Sequence, residues 1–247
     1  MSPDPSLASE DPRLSPAAPA FALARAGTHA ARILLAAEFL LLFIAIPLAL
    51  FFRVATHIPP MPLLWAVALY CLIVLLRDPS FDRRALWNLA PLRSRLPQIL
   101  SLFAVGVLLI GVLVRLCARG LIFTMVRVHP GLWAMLMVGY PLFSVYPQGL
   151  IYRAFIFHRY EPLLETAFSD ARTRSAMLIF ASGATFALMH IVFRNWIALA
   201  LTLPGGILFA VRYENTRSLA VSSLEHALYG CFLFTIGLGQ FFCVRVV

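Results

Sequence analysis

Lysine does not occur in this chain. All 20 basic residues are arginines, set against only 11 aspartates and glutamates in 247 residues. A formal net charge of +9 would suit a nucleic-acid binder, but the arginines stand singly between apolar runs and build no compact basic face, so nucleic acid is not expected as a partner. Charge of either sign is scarce: 13% of residues are charged and 61% are hydrophobic, with a mean hydropathy of +0.86. That balance excludes an ordinary soluble domain. Paired cysteine spacing is also lacking, so Cys71, Cys117, Cys231 and Cys243 read as lipid-compatible side chains and not as a disulfide or metal framework.

What remains is a series of long apolar runs. A helix rises about 1.5 Å per residue and the hydrocarbon layer is about 30 Å thick, so runs near 20 residues can cross it. The opening MSPDPSLASEDPRLSPAAPA lacks the basic-then-apolar order of a cleavable signal and is expected to be part of a disordered tail over residues 1–30. Residues 31–247 form the expected transmembrane domain. Its runs are Ile33 to Phe52, Pro62 to Leu76, roughly Leu96 to Val114, and one from about Gly131 through Pro147 into the stretch Ser144 to Tyr160. Ser175 to Phe193, Trp196 to Val211 and about Leu219 to Val244 follow, the middle one interrupted by Pro204-Gly205-Gly206. The reading is an all-α, polytopic bundle of seven spans, or eight if Leu121 to Val126 dips into the bilayer.

Placing the N-terminus in the cytoplasm gathers Arg13, Arg25, Arg32, the Arg77 to Arg95 cluster, Arg159, Arg172, Arg174, Arg212 and Arg217 on one side. The positive-inside rule favours that orientation. The expected location is a bacterial inner membrane, with the lipid bilayer itself as the first partner.

Ionisable groups inside spans are costly and are functional candidates by default. Glu38 lies one turn beyond Arg32 and reads as an interfacial or helix-packing carboxylate; His57 and His129 fall in short loops. His190 closes the phrase FALMH, and His226 follows Glu225 directly in SSLEHALYG. In SVYPQGLIYRAFIFHRY, helical spacing puts Gln148 and Tyr152 on one face and Gly149 and Arg153 on the next. Arg153 then has a glycine, and no carboxylate, one turn before it. Two intramembrane histidines with a nearby Gln and Arg point to a shared polar cavity.

At these residues the sequence resembles the CPBP family of membrane-embedded endopeptidases, which includes the type II CAAX prenyl endopeptidases. The family pattern is Glu-Glu-x-x-x-Arg, then Phe-x-x-x-His, then His-x-x-x-Asn, on three helices. Here QGLIYR (Gln148 to Arg153), FALMH (Phe186 to His190) and HALYG (His226 to Gly230) take those places, within a similar region from about Tyr140 to Gly239. The resemblance implies a peptide bond near the membrane surface, in a hydrophobic or lipidated substrate, attacked by activated water. It also implies histidine and asparagine donors for the oxyanion.

Three of the expected groups are missing. Gln148 stands for the first glutamate and, as an amide, cannot accept a proton near neutral pH. Gly149 stands for the second, and Gly230 for the asparagine.

Three readings follow. In the first, the enzyme works without the acidic pair: His190 is the base, His226 the oxyanion donor, Gln148 positions water or substrate, Arg153 pairs across the bundle, and Glu225 orients an imidazole or meets Arg153. The second is an inactive relative that still binds a hydrophobic or lipidated peptide. In the third, His190, His226 and Glu225 hold zinc, for which two imidazoles and a carboxylate are suitable ligands; otherwise no cofactor is expected.

Overall fold

A computed structural model describes residues 27–52 and 59–242. Most of the expected tail, together with His57, Arg53, Cys243 and Arg245, lies outside the described residues. Among the described residues, seven helices are long and apolar enough to cross a membrane: α1 His29–Phe51, α2 Pro60–Arg77, α3 Leu92–Cys117, α4 Pro130–Ala167, α5 Ala171–Phe193, α6 Trp196–Thr216 and α7 Leu219–Ile236. The all-α expectation therefore holds. The candidate eighth span does not form: between α3 and α4 the chain makes only a short 3-10 turn, Arg119–Leu121, and a single helical turn and a half, Thr124–Val128.

Helix starts follow local chemistry. Oγ1 of Thr28, Oδ2 of Asp170, Oδ1 of Asn195 and Oγ of Ser218 accept the first free backbone N–H groups of α1, α5, α6 and α7, the standard capping arrangement. α7 ends at Ile236 and not near Val244, because Gly237 turns left-handed (φ 105°) against the Leu121 carbonyl, where a side chain would collide.

Two other expectations change. Pro204-Gly205-Gly206 does not break α6, which runs unbroken from Trp196 to Thr216. The glycines serve close packing instead: a Cβ on Gly206 would sit 3.0 Å from the Gly183 carbonyl, and one on Gly183 would sit 2.9 Å from the Ile207 nitrogen. Proline and glycine are tolerated inside membrane helices when neighbours satisfy the backbone. The extended α6 also carries Arg212 into the bundle, away from the loop position expected for it.

α4 is the axis of the fold. Of its 38 residues, Pro130 to Arg159 run on before the chain bends at Tyr160, about 45 Å at 1.5 Å per residue and beyond what a bilayer requires, and Gly149 through Phe157 are all buried. Its wall is irregular, with π-helical turns at Pro141–Val145 and Leu150–Phe155. Pro147 accounts for the first. It has no N–H for the Phe143 carbonyl and its ring crowds that oxygen; the freed carbonyl accepts Nε1–H of Trp65 on α2 at 3.1 Å. Ion pairs tie the outer helices to this axis. Glu38 of α1 binds Arg159 at 2.8 Å and accepts from the Tyr160 hydroxyl, and Asp78 after α2 meets His158 at 3.0 Å. Glu38 is thus the helix-packing carboxylate expected of it. Large apolar residues such as Leu34, Leu41, Leu108, Leu113, Leu116 and Phe180 face outward, as a hydrocarbon surrounding demands.

Candidate active site

α4, α5, α6 and α7 enclose, with α3, a chamber of about 350 Å³, within the size range of small-ligand sites. Gln148, Phe186, His190, His226 and Gly230, from all three sequence blocks, line it together with Tyr140 and Ser144. The cavity expected from the two histidines is present. His190 closes the α-helical part of α5, and its Nδ1 meets the Phe186 carbonyl at 2.7 Å. A carbonyl only accepts, so Nδ1 carries the proton and the basic lone pair lies on Nε2. His226 stacks on Phe209 at 4.6 Å, and its Nε2 lies 3.3 Å from the Tyr140 hydroxyl. Both imidazoles pack on the one Phe186 ring, at 4.6 and 5.3 Å between centroids. Phe186 is therefore the piece that brings them together.

The two motif glycines are filled in by neighbours. A Cβ on Gly230 would lie 2.6 Å from Cζ of Tyr140, so the tyrosine ring and hydroxyl occupy the space in which an asparagine side chain would begin. A Cβ on Gly149 would lie 2.7 Å from both Cδ1 of Leu219 and Oγ of Ser223. Neither position can accept its family side chain without moving these groups. Gln148 turns its amide N–H₂ to Ser144 at 2.7 Å, leaving Oε1 without a partner among the described residues.

Arg153 is 1% exposed, and Nε, Nη1 and Nη2 all lack a hydrogen-bond partner among the described residues. Its guanidinium rests on the Phe186 and Phe209 rings, at 4.8 and 5.3 Å. Two cation–π contacts give a desolvated cation about 2 kcal/mol or more apiece, but they leave the guanidinium's N–H donors without acceptors among the described residues, so the rings do not do all that a counter-ion would. The pairing of Arg153 with Glu225 does not occur. Glu225, fully buried, holds Arg212 instead, through Oε2···Nε at 2.8 Å and Oε1···Nη2 at 3.1 Å, while Nη1 of Arg212 donates to Gln98 on α3 at 2.9 Å.

The same pair removes Glu225 from the zinc set. Among the described residues no three His, Cys, Asp or Glu side chains are grouped to hold a metal ion. Glu225 is thus committed to Arg212 and is not grouped with His190 and His226 as a metal set.

Tyr140, Ser223, Arg212 and Gln98 are site residues that sequence reasoning missed. Tyr140 and Gln98 stand 86 and 114 residues from their partners and carry no local signal. Arg212 had one: it lies 13 residues before an intramembrane glutamate, across the tight connection between two spans.

Residues 96–232 match the family model of the type II CAAX prenyl endopeptidases, Rce1-like. This is more than half of the chain, it starts earlier than the similar region read from the sequence, and it contains every motif residue discussed above. The chain belongs to the Rce1-like type II CAAX prenyl endopeptidase family. No curated protein matches it, and no solved structure does. Membership and the seven spans among the described residues together make it an integral, multi-pass membrane protein.

Proposed function

We propose that this family member binds the apolar or lipidated segment of a peptide in its chamber without hydrolysing it. The observation that carries the reading is that no carboxylate lines the chamber among the described residues. A positioned general base contributes about 10²–10⁴-fold to a reaction, and Gln148 and Gly149 supply none of that. The closed space around Gly149 supports the same reading, because the missing glutamate has been replaced by packed side chains. Phe186, Phe193, Leu201, Leu208, Phe209 and Phe242 give the chamber apolar walls suited to a lipid-modified chain, and Tyr140, Gln148 and His226 give it a few polar contacts for a peptide backbone.

One observation favours hydrolysis. His190, with its Nδ1 proton committed to Phe186, presents the tautomer that a base acting through Nε2 requires. We also place the N-terminus on the cytoplasmic side of the membrane, on the arginine distribution.

The test uses the full-length protein in lipid nanodiscs and a fluorescent farnesylated peptide, with binding followed by anisotropy and products by mass spectrometry. Saturable binding that is lost when Gly205→Trp fills the chamber, without any product, supports the proposal. Product formed by the wild type and lost in His190→Ala overturns it in favour of hydrolysis. Binding that Gly205→Trp leaves intact overturns it altogether.

A further inference from the structure

The deepest unexplained feature of the molecule is a cation without an anion. Four buried or half-buried acidic residues of the bundle are engaged elsewhere: Glu38 by Arg159 and Tyr160, Asp78 by His158 and Ser80, Glu225 by Arg212, and Glu214 by Arg217 and Ser175. None reaches Arg153. A second orphaned donor lies close by. Oγ of Ser223 has no partner among the described residues, and it stands 2.7 Å from the point a Gly149 Cβ would take, a point 3.8 Å from Nη1 of Arg153. Guanidinium and hydroxyl thus flank one spot on the inner face of α4. The atom crowding it from the other side is Cδ1 of Leu219, a fully buried side chain, so an occupant of the spot requires that leucine to take another rotamer.

We propose that this spot is a binding site for a small carboxylate, seated between Nη1 of Arg153 and Oγ of Ser223 and supplied from outside the chain. The planar guanidinium edge matches a carboxylate with two parallel N–H···O bonds, and the serine hydroxyl adds a third. Phe186 and Phe209 line the chamber and lie on the guanidinium, so an occupant reaches the spot from the chamber when these rings move aside. The carboxylate comes either from solution, as formate or acetate, or from the head of an apolar chain that fills the chamber behind it. The site exists whether or not a lipidated peptide is the natural occupant.

The experiment is a thermal-unfolding titration of the full-length protein in a nonionic detergent. Sodium formate, acetate or octanoate is added, with ionic strength held constant by bulky isethionate. A ligand that binds only the folded state raises Tm as its concentration passes Kd. The wild type should show a saturable rise of several degrees with formate, which is absent in Arg153→Met and right-shifted at least tenfold in Ser223→Ala. Octanoate acting at a concentration 100-fold or more below formate identifies an amphiphile head as the source; similar concentrations identify a solution anion. A rise of equal size in Arg153→Met, or no saturable rise in the wild type, overturns the site. Neither result bears on whether farnesylated peptide binds, so the two proposals fail separately.

Discussion

Arg212 and Arg153 are both buried arginines of the same bundle, and they are handled in opposite ways. Arg212 receives a bidentate carboxylate from Glu225 and an amide oxygen from Gln98, so one guanidinium joins α3, α6 and α7. Arg153 receives two aromatic faces and no acceptor among the described residues. A carboxylate from another helix makes the first a structural joint. Its absence leaves the second as an unspent positive charge beside a chamber, at the position where the family places a glutamate one turn earlier.

The sharpest way to break the comparison is to remove the satisfied pair. Arg212→Ala or Glu225→Ala leaves a buried charge without its partner and should cost about 3–5 kcal/mol, seen as loss of a monodisperse peak and a large fall in Tm in detergent. Arg153→Met, tested alongside in carboxylate-free buffer, should leave Tm unchanged or higher. An equal loss in both would show that the two arginines are satisfied alike.

The next perturbation supplies Arg153 with the missing acid. Gly149→Glu must displace Leu219 and Ser223 and should destabilise by about 1–3 kcal/mol. Adding Ser223→Gly should recover most of that loss, because it clears one of the two colliding atoms, and a double-mutant cycle by thermal unfolding measures the coupling.

A smaller contrast lies at the third motif block. Gly230→Ala should push Tyr140 off His226 and cost more than Tyr140→Phe, which keeps the ring and loses a single hydrogen bond of about 1 kcal/mol. Nearly equal Tm losses would mean that Tyr140 does not fill the Gly230 position.

The smallest effect is expected at Asp78, outside the membrane. Burial raises its carboxyl pKa, but hydrogen bonds from Ser80 and contact with His158 outweigh that and hold it below its ordinary value. A depressed folded pKa stabilises the protein fully above the unfolded value of about 3.9, and that share is lost as pH falls through the lower folded value. Tm should therefore fall below about pH 4, with a shallower fall in Asp78→Asn.

The number of spans and the convergence of Gln148, His190 and His226 were legible in the sequence, because hydropathy and intramembrane polarity are local signals. The continuity of α6 through Pro204 and the π-helical turn before Pro147 were not. A proline's effect depends on what receives the carbonyl it frees: Trp65 did so for Phe143, and only the packed bundle reveals it. The pairing of Glu225 was also hidden, since the apparent end of α6 at Val211 left Arg212 in a loop. Tyr140 at Gly230 is a case of space filled from a distant helix, and residue type at either position carries no trace of it.

The account stands or falls on whether the chamber cuts what it holds. Purified wild type and His190→Ala, incubated with the farnesylated peptide to saturation and followed by mass spectrometry over many hours, should yield intact peptide in both samples at the level of the protein-free control. Wild-type product that accumulates with enzyme concentration and vanishes in His190→Ala would contradict it.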